Sequence, residues 1–263
     1  MGLFAPLLFL MAGAQTPAGD RADWNWERDT QTCGLHEQAG SAGATIQVSR
    51  TPANDQTTVM ITVPSDSNLK RRHFSDGVIK LGQGSDVTAE VDTYFDHDKR
   101  FHVLATTQDP SFLEKFSNAD TLAVSHGDVD VARIDLRSPA AAVAALRSCE
   151  DKKMRAWGID PVAWRALKSR PIPLESLTQR FSSLDYPLDA LRFLVTGDAV
   201  TRLDVAPDGS VRQCRSLNAS EYKGFEDATC RVLKDARFKP ALDSTGGAVA
   251  APYVIDVVFR VGR

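Results

Sequence analysis

Residues 200–217 read VTRLDVAPDGSVRQCRSL, and this stretch is the clearest indication of the fold of the C-terminal third of the chain. Apolar and polar residues alternate on both sides of the turn sequence Pro207-Asp208-Gly209. Alternation with a period of two is typical of a strand with one buried face, and Pro, Asp and Gly supply turn chemistry. The stretch therefore predicts a β-hairpin.

The segments on either side of this hairpin predict further elements. From Phe225, apolar and small residues recur at helical spacing, and the helix must stop before Pro240. Alternating apolar residues from Tyr253 to Val261 predict a half-buried closing strand. Upstream, Pro187 fits the first position of a short helix, because its missing N–H would have no partner there. Together these elements predict helices packed on a small sheet.

Short motifs recur in a fixed order along residues 185–261. They are Tyr186-Pro187, Ala190, Gly197, Leu203-Asp204-Val205, Asp208-Gly209-Ser210-Val211, Phe225-Glu226-Asp227-Ala228, Ala236-Arg237-Phe238-Lys239-Pro240-Ala241, Gly246-Gly247 and Tyr253-Val254-Ile255-Asp256-Val257-Val258-Phe259. In order and spacing this set resembles the C-terminal domain of the TonB family of periplasmic energy transducers. The resemblance covers the C-terminal third only and implies an α+β domain over residues 185–263, with helices on a small antiparallel sheet.

The resemblance also implies a binding mode. TonB-like domains take an extended peptide of an outer-membrane transporter alongside a sheet edge, where unpaired N–H and C=O groups accept a partner strand. Carried over by position, the closing strand supplies that edge through its backbone and its outward-facing residues. The residues expected to bind a partner are Tyr186, Pro187, Val254, Asp256 and Val258.

The chain departs from a complete energy transducer in one respect. Such a transducer has an inner-membrane helix and a long Pro-rich spacer, and this sequence shows neither. The resemblance therefore implies a binding module rather than a mechanical transducer. The implied partner is another envelope protein, such as a TonB-dependent outer-membrane receptor or a motor component.

The sequence has 4 cysteines and no C-x-x-C pair. An even number favours disulfides over a metal site, although four cysteines allow three pairings. The favoured pairing joins Cys214 in the second hairpin strand to Cys230 in the helix packed on it. It also joins Cys33 to Cys149, at the two ends of the preceding domain. On the loop-closure model each bridge stabilises the fold by about 3 to 5 kcal/mol.

The N-terminus predicts secretion. Residues 1–14 read MGLFAPLLFLMAGA, a short apolar run followed by a small-residue cleavage site, as in a signal peptide, although no Lys or Arg precedes the run. The run is shorter than the roughly 20 residues that span a bilayer. The mature protein is thus expected in the periplasm without a membrane span, in an oxidising compartment where disulfides persist.

Residues 20–165 are predicted to form a separate disulfide-linked α+β domain of unknown function. Helix starts are expected at Asp109-Pro110 and Ser138-Pro139. Residues 166–184 are the expected linker, because Pro171 and Pro173 resist both helix and central strand. The predicted strands are 45–49, 57–63, 87–95, 100–106, 121–125 and 129–136.

Composition argues against several function classes. The net charge is −3 and the pI about 6.0, so there is no overall positive field that would concentrate nucleic acid. No G-x-S-x-G nucleophile elbow and no Gly-rich phosphate loop is present. Asp96, His97, Asp98 and His102 form the one plausible metal cluster, but a solvated turn is the simpler interpretation. Accordingly, the sequence predicts no catalytic residue, no cofactor and no metal.

Three functional hypotheses follow, in order of preference. The first is a non-enzymatic periplasmic adaptor whose TonB-like domain binds an envelope protein by strand addition. The alternative is an envelope ligand-binding or inhibitor protein that acts through its N-terminal domain, with the TonB-like domain structural. An unrecognised hydrolase ranks last.

Overall fold

The computed structural model describes residues 25–26, 32–39, 44–64, 72–83, 85–95, 100–127, 129–218 and 222–261. The predicted signal peptide, residues 1–14, and the predicted turn at residues 96–99 lie outside the described residues. The described residues form a mixed α and β structure with antiparallel sheets and disulfides.

A nine-stranded antiparallel sheet dominates the N-terminal region. Its strands are β1 (Asn25–Trp26), β2 (Cys33–Ala39), β3 (Ala44–Arg50), β4 (Thr57–Pro64), β5 (Arg72–Leu81), β6 (Ser85–Phe95), β7 (Arg100–Thr107), β8 (Thr121–His126) and β9 (Val129–Asp135). Their order across the sheet is β1-β2-β3-β4-β7-β6-β5-β8-β9.

Two helices cover the inner face of this sheet, α1 (Phe112–Ser117) and α2 (Pro139–Ala156). Helix α1 begins two residues later than Asp109-Pro110 predicted, because the Asp109 carboxylate accepts from Ser111 N–H (2.8 Å) and so organises a turn before the helix. The Cys33–Cys149 disulfide ties β2 to α2, with an S–S distance of 2.01 Å. This pairing is the one that the sequence analysis favoured.

Residues 157–185 lead from α2 to the C-terminal sheet. They contain α3 (Pro161–Arg165), which Asp160 caps by accepting from Val162 N–H at 2.8 Å, and the short strand β10 (Ile172–Pro173). The predicted linker does not extend away from the C-terminal unit, because β10 pairs with Phe238–Lys239 and Leu177 is buried in the C-terminal core. The domain boundaries themselves stay a prediction.

The described residues of the C-terminal region form the elements that the sequence predicted and three short strands that it did not, at residues 238–239, 241–242 and 248–249. They are α4 (Leu188–Arg192), β11 (Gly197–Val205), β12 (Val211–Ser216), α5 (Gly224–Leu233), β13 (Phe238–Lys239), β14 (Ala241–Leu242), β15 (Ala248–Val249) and β16 (Ala251–Phe259). Strands β12, β11 and β16 form a three-stranded antiparallel sheet in that order. The hairpin, the helix after residue 224 and the closing strand are therefore confirmed.

The hairpin turn depends on its glycine. Gly209 has φ of 78°, and an added Cβ would lie 2.0 Å from the carbonyl oxygen of Phe238. The same close approach lets Phe238 N–H donate to Gly209 O at 2.9 Å. A side chain at this position would therefore push the turn away from β13.

One face of the small sheet packs against α5. Phe225, from α5, is fully buried and stacks on Phe259, from β16, with ring centroids 4.7 Å apart. The Cys214–Cys230 disulfide joins β12 to α5 across a Cα–Cα distance of 5.6 Å, as the sequence analysis favoured. This face holds the C-terminal hydrophobic core.

The other face packs against the C-terminal end of α2 and the segment that follows it. Val200 and Val254 are fully buried in one cluster with Met154, Ile159 and Trp164. The small sheet is thus covered on one side by its own helix and on the other by upstream residues. None of the helices within the described residues combines the length and the apolar character that a membrane span needs.

Candidate partner-binding edge

Strand β16 lies at an edge of the three-stranded sheet, and its register with β11 is continuous from Ala251 to Phe259. In an antiparallel ladder, successive residues direct their backbone groups alternately to the two sides of the strand. The N–H of Val254 points away from β11, because it donates to Ala53 O at 3.2 Å. Residues 252, 256 and 258 share this outward orientation by their spacing. These residues form the outer edge of β16.

A turn from the N-terminal region occupies part of this edge. Residues 51–56, between β3 and β4, bring Ala53 O to the Val254 N–H. The side-chain amide of Asn54 donates to Val254 O at 2.9 Å and to the Tyr253 hydroxyl at 3.3 Å. Both outward backbone groups of Val254 therefore have partners within the chain. We call residues 51–56 the capping turn.

A tryptophan closes the neighbouring position. Pro252 has no N–H, and its carbonyl oxygen accepts from Trp164 Nε1 at 3.3 Å. Trp164 is 6% exposed, and the Arg170 guanidinium lies over its ring, 4.9 Å from the centroid. Proline and a covering side chain both prevent an edge strand from pairing with other chains. The edge is thus closed from residue 252 to residue 254.

Buried charges hold the capping turn in place. Arg50, at the end of β3, donates through Nη2 to Asn54 O (3.1 Å) and through Nη1 to the Thr57 hydroxyl (3.2 Å). Its Nε lies 2.9 Å from the Glu150 carboxylate on α2. Both side chains of this ion pair are 5% exposed. Since the loss of either partner would leave a buried charge, α2 and the turn are coupled.

Burial changes the acidity of the groups around the turn. It raises the pKa of the Glu150 carboxyl and that of Asp55, and neighbouring arginines act in the opposite direction. It raises the pKa of the Tyr253 phenol to about 12, while the hydrogen bond from Asn54 acts to lower it. Desolvation disfavours the charged form of each acid. The raised pKa values of these three groups thus follow from their burial around the capped edge.

The resemblance placed Val254 among the residues facing a partner, but in the described structure it does not lie at an open part of the edge, and its contact with a partner stays a prediction. Val254 is 0% exposed. Its side chain packs with Met154 and Trp164, and its backbone is bonded to the capping turn. The physical reason is that the sheet face opposite α5 is apolar here, so upstream residues cover it.

The distal end of β16 remains accessible. Val258 pairs with Asp198 of β11 and is 54% exposed, and Asp256 is half-buried. An exposed apolar residue at an outward position of an edge strand is suited to contact a partner strand. The partner-binding roles of Asp256 and Val258 stay predictions, now confined to this end of the edge.

Tyr186 and Pro187 lie at the start of α4. The Tyr186 hydroxyl donates to Val195 O at 2.5 Å, and its ring meets those of Phe225 and Phe259 edge to face, with centroids 5.7 and 5.8 Å away. Pro187 precedes the first residue of α4 as its N-cap. The structure accounts for both residues by packing and by helix initiation, and their contact with a partner stays a prediction.

A group of exposed apolar residues around α4 was not predicted from the sequence. These residues, the α4 apolar surface, are Leu184 (90% exposed), Leu188 (72%), Leu191 (42%), Phe193 (77%) and Leu194 (68%). Apolar groups of this extent on a protein surface commonly mark interaction sites. Leu184, Leu188 and Leu191 recur at helical spacing, but from the sequence alone such a row of apolar residues predicts the buried face of a helix and not an exposed one. Only the fold shows that this face is exposed.

A cleft of about 600 Å³ lies between the N-terminal sheet and residues 173–178. Thr88, Glu90 and Thr106 line it from β6 and β7, and Tyr253 lines it from β16. Its polar lining gives it several donors and acceptors. The cleft is the feature that a ligand-binding role of the N-terminal region would use.

The structure brings together no metal cluster in the part of the chain it describes: no group of three or more His, Cys, Asp or Glu side chains there could hold an ion. Asp96, His97 and Asp98 lie outside the described residues. His102 stacks on Tyr94 with centroids 4.8 Å apart, and its Nδ1 lies 2.8 Å from the Thr62 hydroxyl. His102 is thus part of a packed polar group on the sheet.

One comparison with known proteins identifies the C-terminal third. Residues 182–261 match the family model of the Gram-negative bacterial TonB protein C-terminal domain. The match covers the hairpin, α5 and β16, and its first residues lie just before α4. No curated protein and no solved structure matches the chain.

Proposed function

From the match of its C-terminal third to the TonB C-terminal family, we propose that this chain is a periplasmic, non-enzymatic adaptor that binds another envelope protein. The family is periplasmic in Gram-negative bacteria, and the disulfides suit an oxidising compartment. The proposed contact is strand addition, in which an extended segment of the partner pairs with the outer edge of β16. A TonB-dependent outer-membrane receptor or a motor component is the partner class that the family supports.

The observation that carries this proposal is the accessible end of the edge. Val258 is exposed on an outward-facing position of a strand that lies at the edge of its sheet. Main-chain hydrogen bonds would supply affinity there, and the side chain of Val258 would contribute an apolar contact. Because the outward groups from residue 252 to residue 254 are capped, the initial contact is short.

A photo-crosslinking amino acid at Val258 tests the proposal in the intact envelope. The matched control carries the same amino acid at Val162, another exposed valine (70% exposed), which lies on α3. We expect an adduct with an outer-membrane receptor or a motor component from position 258 and not from position 162. Identical adducts from both positions, or none from position 258, would contradict the proposal.

Two substitutions at Val258 separate backbone pairing from side-chain contact. Val258→Pro removes an outward N–H without removing a bond to β11, as Pro252 already does in the same strand. Val258→Thr keeps the N–H and the branched shape. We expect the proline variant to lose the partner and the threonine variant to retain most of the binding.

A second candidate function is ligand binding or inhibition by the N-terminal region, with a purely structural role for the TonB-like unit. Two observations favour it: the cleft of about 600 Å³ and the burial of one face of the small sheet against upstream residues. Glu90→Ala and Thr106→Ala would then abolish binding of the envelope ligand, whereas Val258→Pro would not. The opposite result would favour strand addition.

A further inference from the structure

The capping turn reproduces the contacts of a paired strand at Val254. In an antiparallel ladder, a hydrogen-bonded residue pair exchanges two bonds, one from each N–H. The N–H of Val254 donates to Ala53 O, and the side-chain amide of Asn54 donates to Val254 O. An acceptor and a donor from the turn therefore fill the two positions that a partner strand would fill. A partner strand and the turn cannot occupy this part of the edge together.

The conformation of the turn is imposed by its surroundings. Ala53 has φ of 58°, in the left-handed region that residues with a Cβ seldom adopt, and it is 1% exposed. Arg50 holds the turn through Asn54 O and is itself held by Glu150. The Asn54 Oδ1 also accepts from Gln56 N–H at 2.8 Å. Release of these contacts would free the turn from a strained conformation.

We propose that the capping turn is an internal competitor for the partner strand, so that pairing of a partner at Val254 as well as at Val258 requires the turn to leave the edge. This inference rests on the proposed function of β16. In the capped state a partner reaches only the Val258 end. In the open state the strand offers the outward groups of Val254 as well, and binding is tighter. The turn therefore sets the apparent affinity of the site.

If the capping turn only protects the edge, loosening it should not increase the affinity for a partner. Covered edges also prevent aggregation, and in that role the turn would never yield to a partner. Loosening it would then lower stability or cause self-association without any gain in binding. The two accounts differ in the sign of the effect on affinity.

Asn54→Asp is the sharpest perturbation of the turn. It keeps the Oδ1 that accepts from Gln56 N–H but replaces the donor to Val254 O with an acceptor. The matched control is Asn118→Asp, because Asn118 donates to Glu114 O (2.9 Å) on the exposed end of α1, remote in sequence from the edge. Asn54→Ala serves as the second variant if the aspartate variant does not fold.

The probe is a synthetic peptide with the sequence of residues 197–205, GDAVTRLDV, since this strand pairs antiparallel with β16 in the fold. Fluorescence anisotropy measures its affinity for the full chain, and amide hydrogen exchange measures opening at Val254. We expect Asn54→Asp to bind the peptide about tenfold more tightly, because the apparent dissociation constant falls as the competent fraction rises. Exchange at Val254 should be faster by a similar factor, and exchange at Ile255, which faces β11, should not change.

The outcomes separate the two claims. Binding that strengthens in the Asn54 variant and not in Asn118→Asp supports the competitor. Unchanged or weaker binding with faster exchange at Val254 overturns it, and so does exchange at Val254 that stays slow. If no form of the protein binds the peptide or the cross-linked partner, strand addition itself fails, whatever the exchange shows.

Discussion

The nine-stranded sheet and the three-stranded sheet cover their faces in different ways. The nine-stranded sheet buries its inner face against α1 and α2, which belong to the same region of the chain. The three-stranded sheet buries one face against α5. Its second face packs against Met154, Ile159 and Trp164, which precede the sheet in the chain. A small sheet with two apolar faces thus depends on residues outside the family domain.

This difference decides which part of the edge is available. The residues that cover the second face also bring Trp164 and the capping turn to the outer edge of β16. Consequently the N-terminal region both stabilises the small sheet and restricts access to it.

The disulfides should stabilise the two regions unequally. Cys33–Cys149 closes a loop with a sequence separation of 116, whereas Cys214–Cys230 closes one of 16. On the loop-closure model the paired substitution C33S/C149S costs about 5 kcal/mol and C214S/C230S about 3 kcal/mol. Guanidinium chloride unfolding of both double variants measures the difference. Equal losses would show that the long bridge constrains the unfolded chain less than its length implies.

Removal of Glu150 should disturb both regions at once. Glu150→Ala removes the nearer of two carboxylates beside the buried Arg50 and leaves Asp55, 3.6 Å away, so we expect a loss of about 3 kcal/mol in the free energy of unfolding. Glu114→Ala, at an exposed position on α1, is the control and should change stability by less than about 0.5 kcal/mol. The amide of Val254 should also exchange faster in Glu150→Ala. Normal exchange there would mean that the turn does not depend on the ion pair.

Stability at high pH should depend on Tyr253. Its pKa rises from 10.0 to about 12 in the folded state, so the folded protein retains a proton that the unfolded chain releases. Stability should therefore fall as the pH rises through this interval, by about 1 kcal/mol at about pH 11. Denaturant unfolding at about pH 9 and pH 11 checks this, with Tyr253→Phe as the reference. The same decrease in Tyr253→Phe would assign it to other groups.

The α4 apolar surface should matter least for stability. Leu188→Ser and Phe193→Ser replace side chains that are 72% and 77% exposed, and each should change the free energy of unfolding by less than about 0.5 kcal/mol. A buried counterpart, Phe225→Ala, should cost about 3 to 5 kcal/mol. A large loss in either serine variant would show that this surface is covered in solution.

The sequence predicted elements wherever local chemistry was sufficient. The hairpin follows from alternation around Pro207-Asp208-Gly209, and Gly209 is required by its close approach to Phe238. The Cys214–Cys230 bridge followed from placing a strand beside its helix. Strand β2 was missed because Glu37, on its inner face, is fully buried and pairs with Arg137 at 3.2 Å, which breaks the apolar pattern.

The capped edge could not be predicted in the same way. Asn54 and Val254 are separated by 200 positions in the sequence, and neither local pattern indicates the other. The family resemblance assigns β16 to the sheet edge but carries no information on what the preceding residues of this chain cover. Contacts of this kind depend on the packing of the two regions, which no local spacing encodes.

Amide hydrogen exchange along β16, with and without the partner that cross-links at position 258, is the direct test of strand addition. We expect the partner to slow exchange at Val258 by roughly tenfold or more, since strand addition gives this outward N–H an acceptor. Exchange at Ile255, which faces β11, should stay the same. Unchanged exchange at Val258, together with new protection at residues 188–194, would contradict strand addition and assign the partner to the α4 apolar surface.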